Sequence, residues 1–139
     1  SLGVPTYCMF DADGGFEARA RANGKAEDKI DEERKSHVAA NHRVMEYFGL
    51  TAVDFPKETE AAEVTILEDH LEALMERDWP EWNESCSSLE CELGIRLEKN
   101  SAAYRKATLE AKGEPCGLLL RVIDKGIGVT TALDSSHEA

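Results

Sequence analysis

Asp11 and Asp13 stand one residue apart at the end of an apolar run, and two glycines follow them. The run is Val4–Phe10, within the segment VPTYCMFDADGGF (Val4–Phe16). Read as a buried strand, it delivers both aspartates to its carboxyl end, the edge at which open α/β sheets bind ligands. Alternate residues of an extended backbone point the same way, so the two carboxylates can converge on one point. Gly14 and Gly15 let the backbone bend away without steric cost. Paired hard carboxylates suit Mg²⁺, which is usually held by one or two carboxylates with water and substrate phosphate. The plain alternative is a solvated turn, since turns favour Asp and Gly on backbone grounds alone.

A second acidic constellation lies in VTILEDHLEALM, Val64–Met75. Glu68 ends an apolar, β-branched run just as Asp11 does. If the two runs are neighbouring parallel strands, Glu68 falls on the same edge as Asp11 and Asp13. Glu72 is one helical turn further on and faces the same way if that segment is helical. Carboxylates gathered at one edge repel one another unless a cation sits among them, which makes a metal the expected partner. For Glu68 and Asp69 taken alone, an acidic helix N-terminus that complements the macrodipole explains the pattern equally well. His70 reads as a surface or supporting residue rather than a ligand. Trp79 and Trp82 flank Pro80 and have the chemistry to stack on bases. Packing at a helix entrance is the commoner use of such a cluster.

These residues need elements to hold them. Gly14–Asp28 is polar and reads as a loop. A long helix is predicted over Ala26–Phe48, with Ile30, Arg34, Val38, Asn41, Met45 and Phe48 along one stripe, widened by Val44 and Tyr47. Gly49 ends it. Thr51–Phe55 is a short strand stopped by Pro56, and Val64–Leu67 is another. Glu68–Arg77 reads as a helix. Asn83–Lys112 is helical, broken near Gly94, with Leu89, Leu93 and Leu97 as core. Asn100–Ser101 caps a helix over Ala102–Lys112 that Gly113 and Pro115 terminate. Cys116–Lys125 is apolar and reads as a helix in preference to a strand, and Gly126–Ala139 as a frayed tail. The expected class is α/β: a small parallel sheet flanked by helices over residues 1–82, a helical appendage over 83–125 and a flexible tail over 126–139. Three strands are few for such a sheet, and the chain opens almost directly in a strand without Met. Both points read as a piece of a longer protein.

The 139 residues make one domain or part of one, and 42% hydrophobic content is enough for a core. Lys and Arg number 16 against 28 Asp and Glu, a net charge of −12. That sign excludes a domain that grips nucleic acid through its own phosphate neutralisation. Either the substrate is not a polyanion, or metal ions and another part of a larger protein supply the positive charge. Cys8, Cys86, Cys91 and Cys116 show no CxxC spacing, which reads as reduced thiols in a cytoplasmic protein. No run approaches the roughly 20 apolar residues of a membrane span, and no signal-peptide pattern is present.

Two motif families can be weighed against FDADGG. An EF-hand loop needs Gly at its sixth position and Glu at its twelfth, where this chain has Phe16 and Ala22, so it is rejected. The haloacid-dehalogenase-type phosphatases open with a strand and Asp-x-Asp-Gly-Thr. In that resemblance Asp11 is the nucleophile and Asp13 the general acid/base, but Gly15 stands where Thr belongs. The longer ordered series is FDADGG, then NHRVMEYFGL (Asn41–Leu50), VDFP (Val53–Pro56), VTILEDHLEALM and DWPEW (Asp78–Trp82). It resembles the C-terminal half of the TOPRIM domain of OLD-family ATP-dependent endonucleases, over about Val4–Trp82. The helices up to Lys125 resemble that family's C-terminal cap.

The resemblance implies a partial TOPRIM-like fold and DNA cleavage in phage defence or DNA repair. It implies an ATPase domain in the same polypeptide, and homo-oligomerisation is compatible with it. Asp11 and Asp13 resemble the family's metal-binding Asp-x-Asp, and Glu72 or Glu68 its later acidic ligand. Lys99 or Lys106 stands for its basic residue. The implied chemistry is two-metal phosphodiester hydrolysis, with Mg²⁺ or Mn²⁺ ions about 3.5–4 Å apart. The family's further glutamate belongs to a strand upstream of Ser1, and no GxxxxGK[ST] occurs here. This stretch is therefore expected to lack ATPase activity and to hold part of a nuclease site. A phosphatase is the alternative enzyme, and a non-catalytic interaction domain that keeps the fold is the third reading.

Overall fold

The computed structural model describes residues 6–98 and 100–137. Its elements are β1 (Cys8–Asp11), α1 (Phe16–Ala22), α2 (Glu27–Tyr47), β2 (Thr59–Glu60), β3 (Val64–Leu67), α3 (Leu71–Asp78), α4 (Pro80–Leu93), α5 (Ser101–Glu110) and α6 (Gly117–His137). The chain gathers into two compact units. One joins the residues up to Leu71 with those from Val122 onward, and the other is Glu72–Arg121.

In the first unit the strand order is β1-β3-β2. β1 and β3 are parallel, with Cys8 beside Val64 and Asp11 beside Leu67. β2 is antiparallel to β3, with Thr59 beside Ile66. The sheet is thus α/β in class but mixed, where a parallel sheet was expected. β3 is central, and its four residues Val64, Thr65, Ile66 and Leu67 are all buried. That is why a run of three β-branched residues and a leucine, without a charge, encodes it. Its one polar side chain is satisfied: the Thr65 hydroxyl lies 2.6 Å from that of Tyr7.

The strand expected at Thr51–Phe55 does not form. The Asp54 carbonyl instead accepts a hydrogen bond from Asn41 Nδ2 at 2.8 Å. The Phe55 ring stacks on Phe16 at 5.8 Å, and Pro56 has no N–H to donate to a ladder. The first strand is also displaced, to Cys8–Asp11; Val4 and Pro5 lie outside the described residues.

Two core clusters position the site. Ala12, Met45, Val64 and Ile66 form one, with Phe10, Phe48 and Leu50 around it. Phe16, Ala20 and Ile30 form the other, with Phe55 against it. α2 presents Ile30, Asn41 and Met45 to these clusters, while Arg34 and Tyr47 of the expected stripe are exposed. The loop expected over Gly14–Asp28 contains α1. Its FEARARA sequence is rich in good helix formers, and burial of Phe16 and Ala20 anchors it.

In the second unit α4 packs on α5. The Trp82 ring stacks on Tyr104 at 5.7 Å, and its indole N–H donates to Thr108 Oγ1 at 2.9 Å. Trp79 donates to the Lys112 carbonyl at 2.7 Å. Both indoles are buried, so they serve packing and not base stacking. Leu89 and Leu97 are core, but Leu93 is 48% exposed. α4 ends there and Gly94 turns left-handed at φ 64°, so the chain turn, not a helical stripe, places Leu97. α6 runs through His137 with no proline to stop it, beyond the expected end at Lys125 and through most of the tail expected to fray.

Candidate functional site

The parallel pairing of β1 and β3 brings their carboxyl ends to one edge. The ladder continues past Asp11: the Ala12 N–H donates to the Leu67 carbonyl at 3.0 Å, and the Gly14 N–H donates to the Glu68 carbonyl at 2.9 Å. The loops after the two strands therefore lie against each other, and Asp11, Asp13 and Glu68 share this edge. Asp13 takes a φ of 55°, a left-handed conformation that Asp tolerates better than most residues. A Cβ on Gly14 would lie 2.7 Å from the Glu68 carbonyl oxygen, and one on Gly15 would strike the Asp69 carboxylate and the Arg19 guanidinium. The glycine pair is needed for this loop-to-loop approach as well as for the bend.

Basic side chains from α1, α2 and the segment before β2 meet the acidic edge. Arg19 grips Asp69 with both terminal nitrogens, at 2.5 and 2.8 Å, and its second nitrogen lies 3.8 Å from Asp13 Oδ1. His37 Nδ1 lies 3.4 Å from Asp13 Oδ2, and its ring packs on Phe16 at 4.5 Å. Lys57 Nζ donates to Glu68 Oε1 at 2.5 Å. The Arg19 hydrogen bonds hold the Asp69 carboxyl below its ordinary value against the opposing effect of burial, helped by the Gly15 N–H. Asn41, 2% exposed, donates to the Ala12 carbonyl at 3.1 Å as well as to Asp54, tying α2 to this corner.

Among the described residues no group of three His, Cys, Asp or Glu side chains is arranged to hold a metal ion. The donor chemistry suits an open site, in which one or two hard carboxylates hold the ion and water completes the shell. Asp11 and Asp13 are the carboxylates of this edge that could supply such a pair. Glu68 stands beside them, turned to Lys57.

Glu72 does not stand to Glu68 as one helical turn to the next, because α3 starts only at Leu71. It belongs to the second unit, where it lines a cavity of about 180 Å³ with Glu76, Trp82, Cys86, Glu90 and Tyr104. Lys106 is also in the second unit, 3.7 Å from Glu92 and 3.9 Å from Glu110. Lys99 lies outside the described residues. Arg19, His37, Lys57 and the pairing role of Asp69 are absent from the sequence reading. The available signal was the helix-forming composition of residues 16–22, which puts Arg19 one turn beyond Gly15. The four cysteines are free thiols, and burial raises the Cys86 thiol above its ordinary value, helped by Glu90.

No family model, curated protein or solved structure matches this chain. No described helix is long and apolar enough to cross a membrane.

Proposed function

We propose that this chain is the TOPRIM-like nuclease portion of a Mg²⁺- or Mn²⁺-dependent DNA endonuclease of the OLD type, serving phage defence or DNA repair. The observation that carries the reading is the common edge of Asp11, Asp13 and Glu68, made by parallel pairing of β1 with β3. Asp11 and Asp13 would hold the metal. Glu68 would join them once released by Lys57, whose side chain is 85% exposed and whose ion pair is therefore weak. A bound divalent ion supplies a water nucleophile of lowered pKa and offsets charge on the leaving oxygen. It also offsets the net charge of −12 that otherwise repels DNA. Glu72 and Lys106 enter this reading by resemblance alone, as do the ATPase domain of the same polypeptide and any homo-oligomer.

Calorimetric titration with Mn²⁺ and a Mn²⁺-dependent plasmid-nicking assay test the proposal together, on the wild type, Asp11→Asn and Asp13→Asn. Mn²⁺ binding that either substitution abolishes supports the assignment, and nicking lost in the same variants extends it to catalysis. Unchanged Mn²⁺ binding in both variants removes these residues from the role. Turnover of p-nitrophenyl phosphate without nicking would favour the phosphatase alternative.

A further inference from the structure

The contacts around Arg19 point to a task beyond holding α1 in place. Its guanidinium makes two hydrogen bonds to Asp69, at 2.5 and 2.8 Å, yet stays 3.8 Å from Asp13. The same cation thus stands near both Asp69 and Asp13 and hydrogen-bonds Asp69. The preference is built into the backbone. Gly15 leaves the space in which the Asp69–Arg19 pair sits, since a Cβ there would collide with both side chains. Asp69 is less exposed than Arg19, at 23% against 39% of the side chain, so it is the fixed partner and Arg19 the adaptable one.

We infer that Asp69 is a positioning residue that holds the Arg19 guanidinium back from Asp13 and so keeps Asp13 open to a divalent cation. The inference rests on the metal-binding reading of Asp11 and Asp13. Without the Asp69 charge, Arg19 turns its hydrogen bonds to the next carboxylate, Asp13, and an incoming cation must then compete with a resident guanidinium. Arg19 and Asp69 act through Asp13, and neither needs to touch metal or substrate.

A double-mutant cycle read by Mn²⁺ calorimetry on the full chain tests this, with circular dichroism and thermal melting to check folding. Asp69→Asn keeps the shape and removes the charge, and Arg19→Gln removes the competing cation. Mn²⁺ affinity of Asp69→Asn is expected to fall about tenfold, the weight of one charge-assisted hydrogen bond. In an Arg19→Gln background the same Asp69→Asn change is expected to cost less than about twofold, because the guanidinium that would swing onto Asp13 is gone, while His37, 3.4 Å from Asp13, is common to all four proteins of the cycle. An equal loss in both backgrounds means that Asp69 acts only through its distant charge, and the inference fails. It fails too if Asp69→Asn binds Mn²⁺ as well as the wild type. Absence of Asp13-dependent Mn²⁺ binding in the wild type overturns the proposed metal site itself, a result distinct from the other two.

Discussion

Asn41 holds two backbone carbonyls with one side-chain amide, at Ala12 and Asp54. Both carbonyls belong to segments without regular structure, and a buried acceptor left unpaired costs about 1–3 kcal/mol. Asn41→Leu is therefore expected to lower stability by roughly 2–4 kcal/mol in urea titrations, since two acceptors lose their donor while a bulkier group enters. Asn41→Asp should be nearly as harmful, because a carboxylate has no N–H to give. Asp69 poses a pH question. Its folded pKa is depressed, chiefly by the Arg19 hydrogen bonds, so its contribution is present above the unfolded value near 3.9 and is lost as pH falls through the folded one. Wild type should thus melt above Asp69→Asn at pH 7, and the gap should shrink as pH is lowered below about 4. A gap independent of pH would mean that packing, not charge, accounts for it.

At the scale of elements, helix ends carry the clearest local code. Asn100 accepts the Ala103 N–H at 3.1 Å and starts α5, so Asn100→Ala should cost about 1 kcal/mol, seen as a lower urea midpoint with unchanged slope. The same kind of signal made much of the fold readable. Gly49 and Gly94 both take positive φ, at 71° and 64°, and each closes its helix where glycine predicts. Val64–Leu67 was legible because three β-branched residues and a leucine with no charge among them suit a fully buried strand. What escaped depends on distant partners. α1 has seven residues, too few to show a period, and it is held by Ile30 and by an ion pair to Asp69 fifty positions away. β2 has two residues and exists only by pairing with β3. Thr51–Phe55 has strand composition, but contacts from Asn41 and Phe16 use its backbone and ring otherwise. The acidic edge was legible as topology, since an apolar run ending in an acid twice suggests two strands with one edge. Its basic half was not, because no spacing rule links Arg19 to Asp69 or His37 to Asp13.

For the whole molecule, 28 acidic residues against 16 basic ones leave a self-repelling charge of −12. Many of the basic side chains already sit in ion pairs, so the surplus is carboxylate-rich surface spread over both units. Self-repulsion of this kind destabilises the compact state and is screened by salt, whose Debye length is about 8 Å at physiological ionic strength. The melting temperature should therefore rise as NaCl is added from low concentration, in the wild type and in Asp11→Asn/Asp13→Asn alike. Site binding adds a separate effect, because a ligand that binds only the folded state stabilises by about 2.7 kcal/mol at a hundred times its Kd. At fixed ionic strength, replacing part of the NaCl with MgCl₂ or MnCl₂ should raise the wild-type melting temperature further. That increment should vanish in the double variant while the NaCl response stays. An equal divalent increment in both proteins would assign it to diffuse screening of the acidic surface, and the Asp11–Asp13 edge would then be a charge-compensated turn and not a metal centre.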